Sequence, residues 1–474
     1  MVGALSSFRL DERRAVLLVA TLSGLLHLLM AGSLPLIITP DGGEYIRSAL
    51  ALDEPGAPWS LPNRTPGYPA VLYATFALFG VGAGGILVVQ NALAVASCAL
   101  LALAACRLAG PVVGLAVGVL YALEPWSLAL SNYVLTETAT VFAVVLAATL
   151  VIVLRRPSAL AAAAIGLALA AACLLRPTIP ALAAFVALAW LLGLAVAVRR
   201  RLALGAVVAL AFLIGVGPWL AYNASRGVRG FASGSEWALW YGVTMFGLLD
   251  RAHPVDPEIK AVVDRNLAGG IADYPVMRVI LDTDALESAE RGQQLGAWAR
   301  ASILEQPAAY LGSIPFALLW QLNAGIAGKP PMYDELPFFL ERLTWDTHQP
   351  PRPVPNFQNP GTVPRPWAFT VAWHGGLMQS YMRRAAGGAL RGIPQLPLFA
   401  CALVACAVAA LRRDWTIAVL LAGTLLFVLA HAALLLPLAR HAMPAWTVWY
   451  LALAYLLRSC ADLVARRTEG DDRW

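Results

Sequence analysis

Residues 15–38 read AVLLVATLSGLLHLLMAGSLPLII, and residues 40–49 follow as PDGGEYIRSA. The first stretch carries no charged residue and exceeds the ~20 apolar residues that cross a bilayer as a helix. An aspartate and a glutamate then arrive three positions apart, directly where that helix ends. The apolar run decides the fold class, and the two acids mark where chemistry concentrates.

The same pattern governs the rest of the chain. Of 474 residues, 59% are hydrophobic and only 13% are charged, about half the charged fraction of a soluble chain. The apolar runs are continuous and do not alternate with period two, which excludes a β-barrel. The sequence therefore specifies an all-α polytopic membrane protein. The first run is too long for a signal-peptide core and is read as a retained helix. Arginines gather at Arg13 and Arg14, Arg155 and Arg156, Arg199 to Arg201, Arg412 and Arg413, and Arg466 and Arg467. That is the positive-inside bias of cytoplasmic loops, and the net charge of +6 needs no nucleic-acid partner. The preference for Arg over Lys, with abundant Ala and Leu, points to a GC-rich bacterial genome, and the membrane expected is then the bacterial inner membrane. All six cysteines lie in apolar segments without metal-ligand spacing and are expected as small core residues.

Charge bias and hydropathy predict spans over about 15–37, 84–107, 111–126, 133–154, 158–175, 178–198 and 202–222. RTPGYPAVLYATFALFG, from Arg64, reads as an interfacial helix. The domains follow: 1–222, a seven-helix transmembrane module; 223–394, an extracytoplasmic loop and interfacial region with a possible extra span near 308–325; 395–474, further spans near 395–411, 415–437 and 443–461 with a basic tail. The total comes to 10–12 transmembrane helices. A single crossing at 308–325 would place Arg412, Arg413 and the tail outside, against the charge rule. Either that segment does not cross or another crossing lies between 366 and 392.

The polar residues at outer helix ends carry the functional reading. Asp41-x-x-Glu44 fits a capping box, in which Asp41 accepts the residue-44 amide and Glu44 folds back. It also fits catalysis, because a carboxylate at the mouth of a membrane cavity is costly to desolvate. Arg64 shares that loop and suits an anion through its planar fork. Glu124, Glu137 and Arg176 sit at outer helix ends, where structural and substrate roles are both open. Arg440 and His441 form a cation pair between two apolar spans. His27 and His431 are expected as packed, neutral mid-helix histidines, while His253, His348 and His374 fall in outer segments.

Taken in order, PDGGEYI, RTPGYPAVLYATFALFG, LEPWSLALSNYVLTETATVF, GPWLAYNASRG and LARHAMPAWTVWYLAL resemble the GT-C superfamily of membrane glycosyltransferases. The nearest likeness is to the bacterial branch of protein O-mannosyltransferases and aminoarabinose transferases. The resemblance implies the GT-C fold, with extracytoplasmic loops and interfacial helices around an outer cavity. It implies a polyprenyl-phosphate-sugar donor and Asp41 as catalytic base. Arg440 matches the family's late arginine, but His441 stands where the family has tyrosine. Gly42 and Gly43 separate two acids that the family often has adjacent.

The expectation that follows is an inverting transferase that moves a sugar to an acceptor hydroxyl on a glycan, glycolipid or protein. Arg440, Arg64, Arg176 and His441 would hold the donor phosphate, and Glu44, Tyr45 and Glu137 would orient substrate. Partial burial is expected to raise the basicity of Asp41. No cofactor and no obligatory metal are expected, since no D-x-D-like pair is present for a diphosphate donor. The competing reading is a transporter or flippase of a lipid-linked substrate. Against it, the acids gather at outer helix ends, and transporters place their charged sites near the bilayer midplane.

Overall fold

The first apolar run ends earlier than its hydropathy suggests. In the computed structural model, α1 spans Glu12–Ser33 and the apolar Leu36–Ile38 that follows is a buried strand, β1. The structure describes residues 10–33, 36–60, 63–228, 230–233, 235–271, 273–285, 288–322, 361–363, 395–435 and 439–471. After β1 come α2 (Pro40–Ala51), α3 (Gly67–Phe79), α4 (Ala83–Ala109), α5 (Pro111–Ala122), α6 (Pro125–Leu130) and α7 (Glu137–Val153). Then follow α8 (Ala159–Leu175), α9 (Pro180–Gly193) and α10 (Val198–Ser225). The chain is a helical membrane protein. Among the described residues, five helices are long and apolar enough to cross a bilayer, and six shorter apolar helices pack with them.

Two predicted elements are subdivided. The span expected over 111–126 stops at Ala122, and α6 restarts behind Glu124. Pro125 explains the break, because a proline disfavours helical geometry in the residue before it. Pro125 opens α6, and the Glu124 carboxylate caps it by accepting from the Ser127 amide at 2.7 Å. The second subdivision is β1, which pairs antiparallel with β2 (Gly361–Val363), a strand inside the proline-rich stretch expected as loop.

The polar region after α10 folds as α11 (Ser235–Met245), α12 (Pro257–Asn266), α13 (Asp273–Asp282), α14 (Ala289–Glu305) and α15 (Pro307–Gln321). These close over their own core, built around Trp240, Trp298, Val263 and Ile280, which is continuous with Ala432 and Leu435. Gly242 lets α11 approach closely there. A Cβ on it would lie 2.6 Å from the Leu434 and Leu435 carbonyl oxygens. The last helices are α16 (Gln395–Leu411), α17 (Trp415–Ala433) and α18 (Ala439–Asp471).

Hydrogen bonds between helix ends settle the orientation of the C-terminal helices. Arg107 pairs with Glu12 at 2.6 Å, and Arg458 donates to the Leu108 carbonyl at 3.3 Å. Arg412 pairs with Asp462 at 3.0 Å. The C-terminal arginines therefore share one end of the bundle with the N-terminal ones, in accord with the charge rule. At the other end, Gln395 Nε2 donates to Glu124 Oε1 at 3.4 Å, so α16 starts beside the α5–α6 break. Cys98, Cys106 and Cys173 are buried as expected, whereas Cys460 is exposed on α18.

Candidate active site

The acids after α1 are not paired in a capping box. The N-cap of α2 is Thr39, whose hydroxyl accepts from the Gly42 amide at 3.1 Å, and Pro40 takes the first helical position. Thr before Pro is a good helix start: the hydroxyl satisfies an orphan amide, and the proline has none to satisfy. The Asp41 and Glu44 carboxylates are thereby left to face outward from the first turn, where they meet arginine.

Two close backbone approaches build the cluster. β1 lies along residues 132–134: the Ile37 amide donates to the Asn132 carbonyl at 2.8 Å, and the Val134 amide to the Ile37 carbonyl at 2.9 Å. The first turn of α2 then presses onto the same segment at Gly42, where a Cβ would sit 2.5 Å from the Val134 carbonyl oxygen. This contact brings Asp41 to the start of α7 and Glu137. At Gly67 a Cβ would lie 2.5 Å from the Leu174 carbonyl oxygen, so the start of α3 rests on the end of α8. That brings the Arg64 loop to Arg176.

Seven of the eight residues expected in the site are joined by hydrogen bonds or ion pairs. Arg64 Nη2 donates to Asp41 Oδ1 at 2.8 Å and to Glu44 Oε2 at 3.1 Å. Its Nη1 reaches the Tyr45 hydroxyl at 3.4 Å, and the guanidinium lies 5.3 Å from the centre of the Tyr45 ring. Arg176 Nη1 pairs with Glu137 Oε1 at 3.3 Å. Arg440, in the first turn of α18, lies 3.8 Å from Asp41 Oδ2 and 3.9 Å from Glu137 Oε1, so it bridges the two halves. His441, the eighth, makes no ion pair among the described residues; its ring packs edge-on to His431 with centres 6.1 Å apart. The expected cation pair is thus one arginine beside an imidazole that packs edge-on to a second imidazole.

Burial grades the cluster. The Glu137 and Arg176 side chains are 3% and 9% exposed, while Asp41 is 33% exposed, so the aspartate is the carboxylate a solute reaches first. Burial disfavours the Asp41 charge, but Arg64, Arg440 and Arg176 together outweigh it and hold its pKa below the ordinary aspartate value. The expectation that partial burial raises Asp41's basicity is therefore reversed, because three guanidiniums oppose the desolvation. Glu44 goes the other way: burial raises it beyond what Arg64 offsets, and the Asp41 charge adds to the rise.

The sequence reading missed three supporting residues. Thr39 fixes the α2 start, and its signal was the Thr-Pro step. Tyr68 packs edge-on against Tyr45 with ring centres 5.1 Å apart. Its hydroxyl donates to Gln90 Oε1 at 2.7 Å, and Gln90 in turn donates to the Ser131 carbonyl at 3.2 Å. Neither residue stands out from an apolar helix by pattern. His253 lies in the turn before α12; His348 and His374 fall outside the described residues.

No family model matches the chain, and no curated protein matches it. Solved structures do. The crystal structure of ArnT from Cupriavidus metallidurans in the apo state aligns at a TM-score of 0.38 and 13% identity, covering 93% of this chain and 77% of that one. The same protein bound to undecaprenyl phosphate aligns at 0.37 and 14%, covering 91% and 77%. The apo oligosaccharyltransferase of Archaeoglobus fulgidus aligns at 0.47 and 14%, covering 96% of this chain but only 52% of that one, so this chain spans about half its length. Both proteins are GT-C glycosyltransferases. At these scores the likeness assigns no residue, substrate or reaction to this chain.

Proposed function

We propose that this chain is a GT-C-type inverting glycosyltransferase, acting at the extracytoplasmic face of a bacterial inner membrane with a polyprenyl-phosphate-sugar donor. One observation carries the reading: a partly exposed carboxylate, Asp41, shares a single network with three guanidiniums at one end of an apolar helix bundle. Acceptor attack needs a base on one side of the anomeric carbon and positive charge on the departing phosphate at the other.

The acceptor oxygen bonds to the anomeric carbon as the bond from that carbon to the phosphate oxygen breaks. The bonding pair leaves with the polyprenyl phosphate, and the acceptor proton passes to Asp41. Attack opposite the leaving group inverts the centre. Arg440 and Arg64 receive the phosphate charge as it develops, from a preorganised position, with Arg176 behind them. A carboxylate of low pKa suffices as base when the proton moves late, because an oxygen already bonded to the anomeric carbon is far more acidic than an alcohol. When Arg64 turns to the phosphate, Asp41 loses its nearest cation and gains basicity at the step that requires it. Glu44, Tyr45 and Glu137 orient the substrate and the arginines. The guanidiniums supply the charge that a metal supplies elsewhere, so turnover is expected to persist in EDTA.

The test is Asp41→Asn, assayed with a panel of radiolabelled polyprenyl-phospho-sugars for label bound covalently to acceptor. General-base removal costs about 10²–10⁴-fold. Turnover within about tenfold of the parent removes Asp41 from the base role. Label that crosses the bilayer without any covalent product would make the chain a transporter of the lipid-linked substrate.

A further inference from the structure

At the arginine-rich end, remote from the carboxylate cluster, a cavity of about 420 Å³ lies between the α16–α17 turn and α18. Arg412, Asp414, Tyr455 and Arg458 line it. The turn is shaped for this. Arg413 takes a left-handed φ of 59°, and the Asp414 amide returns to the Ala409 carbonyl at 2.9 Å. That conformation sets Arg412 and Asp414 on either side of one tight bend. Tyr455 is buried, and one helical turn further along α18 the Ser459 hydroxyl is buried with no hydrogen-bond partner among the described residues. Leu411, Trp415 and Leu457 beside the cavity are exposed large apolar side chains. Tyr455 and Ser459 form the buried floor, and the exposed Arg412 and Arg458 stand at its mouth beside those apolar side chains, the arrangement in which snorkelling arginines meet phosphate at headgroup depth.

The positive-inside rule alone explains arginines at this end, but neither a cavity nor an acid inside it. The lining has two signs. Two guanidiniums match a phosphodiester, and the Asp414 carboxylate, whose Oδ1 also caps α17 at 3.5 Å from the Ile417 amide, matches a hydrogen-bond donor. We propose that this cavity binds a glycerophospholipid headgroup, with the phosphate on Arg412 and Arg458 and a distal ammonium or hydroxyl donated to Asp414. The volume exceeds that of a bare phosphate and suits the whole headgroup. Phosphatidylethanolamine and phosphatidylglycerol carry such a donor, and phosphatidylcholine carries none.

The experiment is native mass spectrometry of the full chain after exchange into micelles holding the three lipids in equal amounts. Ethanolamine and phosphatidylcholine lipids share a net charge of zero, so their ratio isolates the donor. One charge-assisted hydrogen bond is expected to enrich the ethanolamine lipid about tenfold over phosphatidylcholine. Asp414→Asn retains the helix cap and should bring that ratio near one, and Arg458→Gln should lower retention of all three lipids. Equal retention of ethanolamine and choline lipids by the parent overturns the proposal, as does a ratio unmoved by Asp414→Asn. Displacement of bound lipid by soluble glycerophosphoethanolamine at equal headgroup concentration overturns the membrane source.

Discussion

Two adjacent glycines with opposite surroundings test how the cluster is assembled. A Cβ on Gly42 would lie 2.5 Å from the Val134 carbonyl oxygen, where ordinary contact begins near 3.4 Å. On Gly43 a Cβ would meet nothing among the described residues within 4 Å. Gly42→Ala must therefore push the α2 first turn about 0.9 Å from the 132–134 segment, or shift that backbone, at a cost of about 1–3 kcal/mol. The displaced turn carries Asp41 and Glu44, and a misplacement of about 1 Å in reacting groups costs about 10²-fold. Gly43→Ala, inside a helix at ordinary φ, should instead add about 0.5–1 kcal/mol of stability. Thermal melting by tryptophan fluorescence reads the first effect and covalent sugar transfer the second. Gly42→Ala should melt lower and turn over about 10²-fold slower, with Gly43→Ala melting at or above the parent. If Gly42→Ala matches the parent in both, the close approach does not position the acids. If both variants fail alike, the α2 first turn itself matters, independent of its contact with Val134.

The shifts of Asp41 and Glu44 give opposite pH signatures. Asp41's folded pKa lies below the ordinary 3.8, so its ionised form stabilises the fold above that value and the benefit is lost as pH falls through the lower folded pKa. Glu44's folded pKa lies above the ordinary 4.5, so its contribution is full below that value and is lost as pH rises through the higher folded pKa. At pH 7.5, Asp41→Asn should lower the melting temperature and Glu44→Gln should hold or raise it; the reverse order would show that the guanidiniums do not dominate at Asp41. For the buried Arg176–Glu137 pair, Arg176→Met leaves a carboxylate whose nearest cation among the described residues is the more distant Arg440, with the Thr136 hydroxyl at 3.4 Å, and should cost about 3–5 kcal/mol. Adding Glu137→Leu should recover much of that loss in chemical denaturation, and no recovery would mean that the two side chains act separately.

Most of the helices were legible because an uninterrupted apolar run admits one solution in a bilayer: α4, α8 and α10 begin and end within a few residues of their hydropathy limits. The polar helix ends were legible for a related reason, since ionised groups stay out of hydrocarbon and Asp41, Glu44, Glu137, Arg176 and Arg440 stand out against it. Local geometry was less readable. Leu36–Ile38 is as apolar as the helix before it, and its distant partners, Gly361–Val363 and the 132–134 segment, make it a strand. Asp-x-x-Glu satisfied a capping pattern that Thr39 fills two residues earlier. The downward shift at Asp41 depends on three arginines from three distant segments, and no local pattern encodes that sum.

The three arginines of the cluster are matched one for one by Asp41, Glu44 and Glu137. Seen from beyond a Debye length, such a cluster is nearly neutral and exerts little pull on an approaching anion. Discrimination is postponed to the moment of contact, when an incoming anion must take over a guanidinium already held by a carboxylate. Ligands unable to make that exchange at short range would drift past, whatever their total charge.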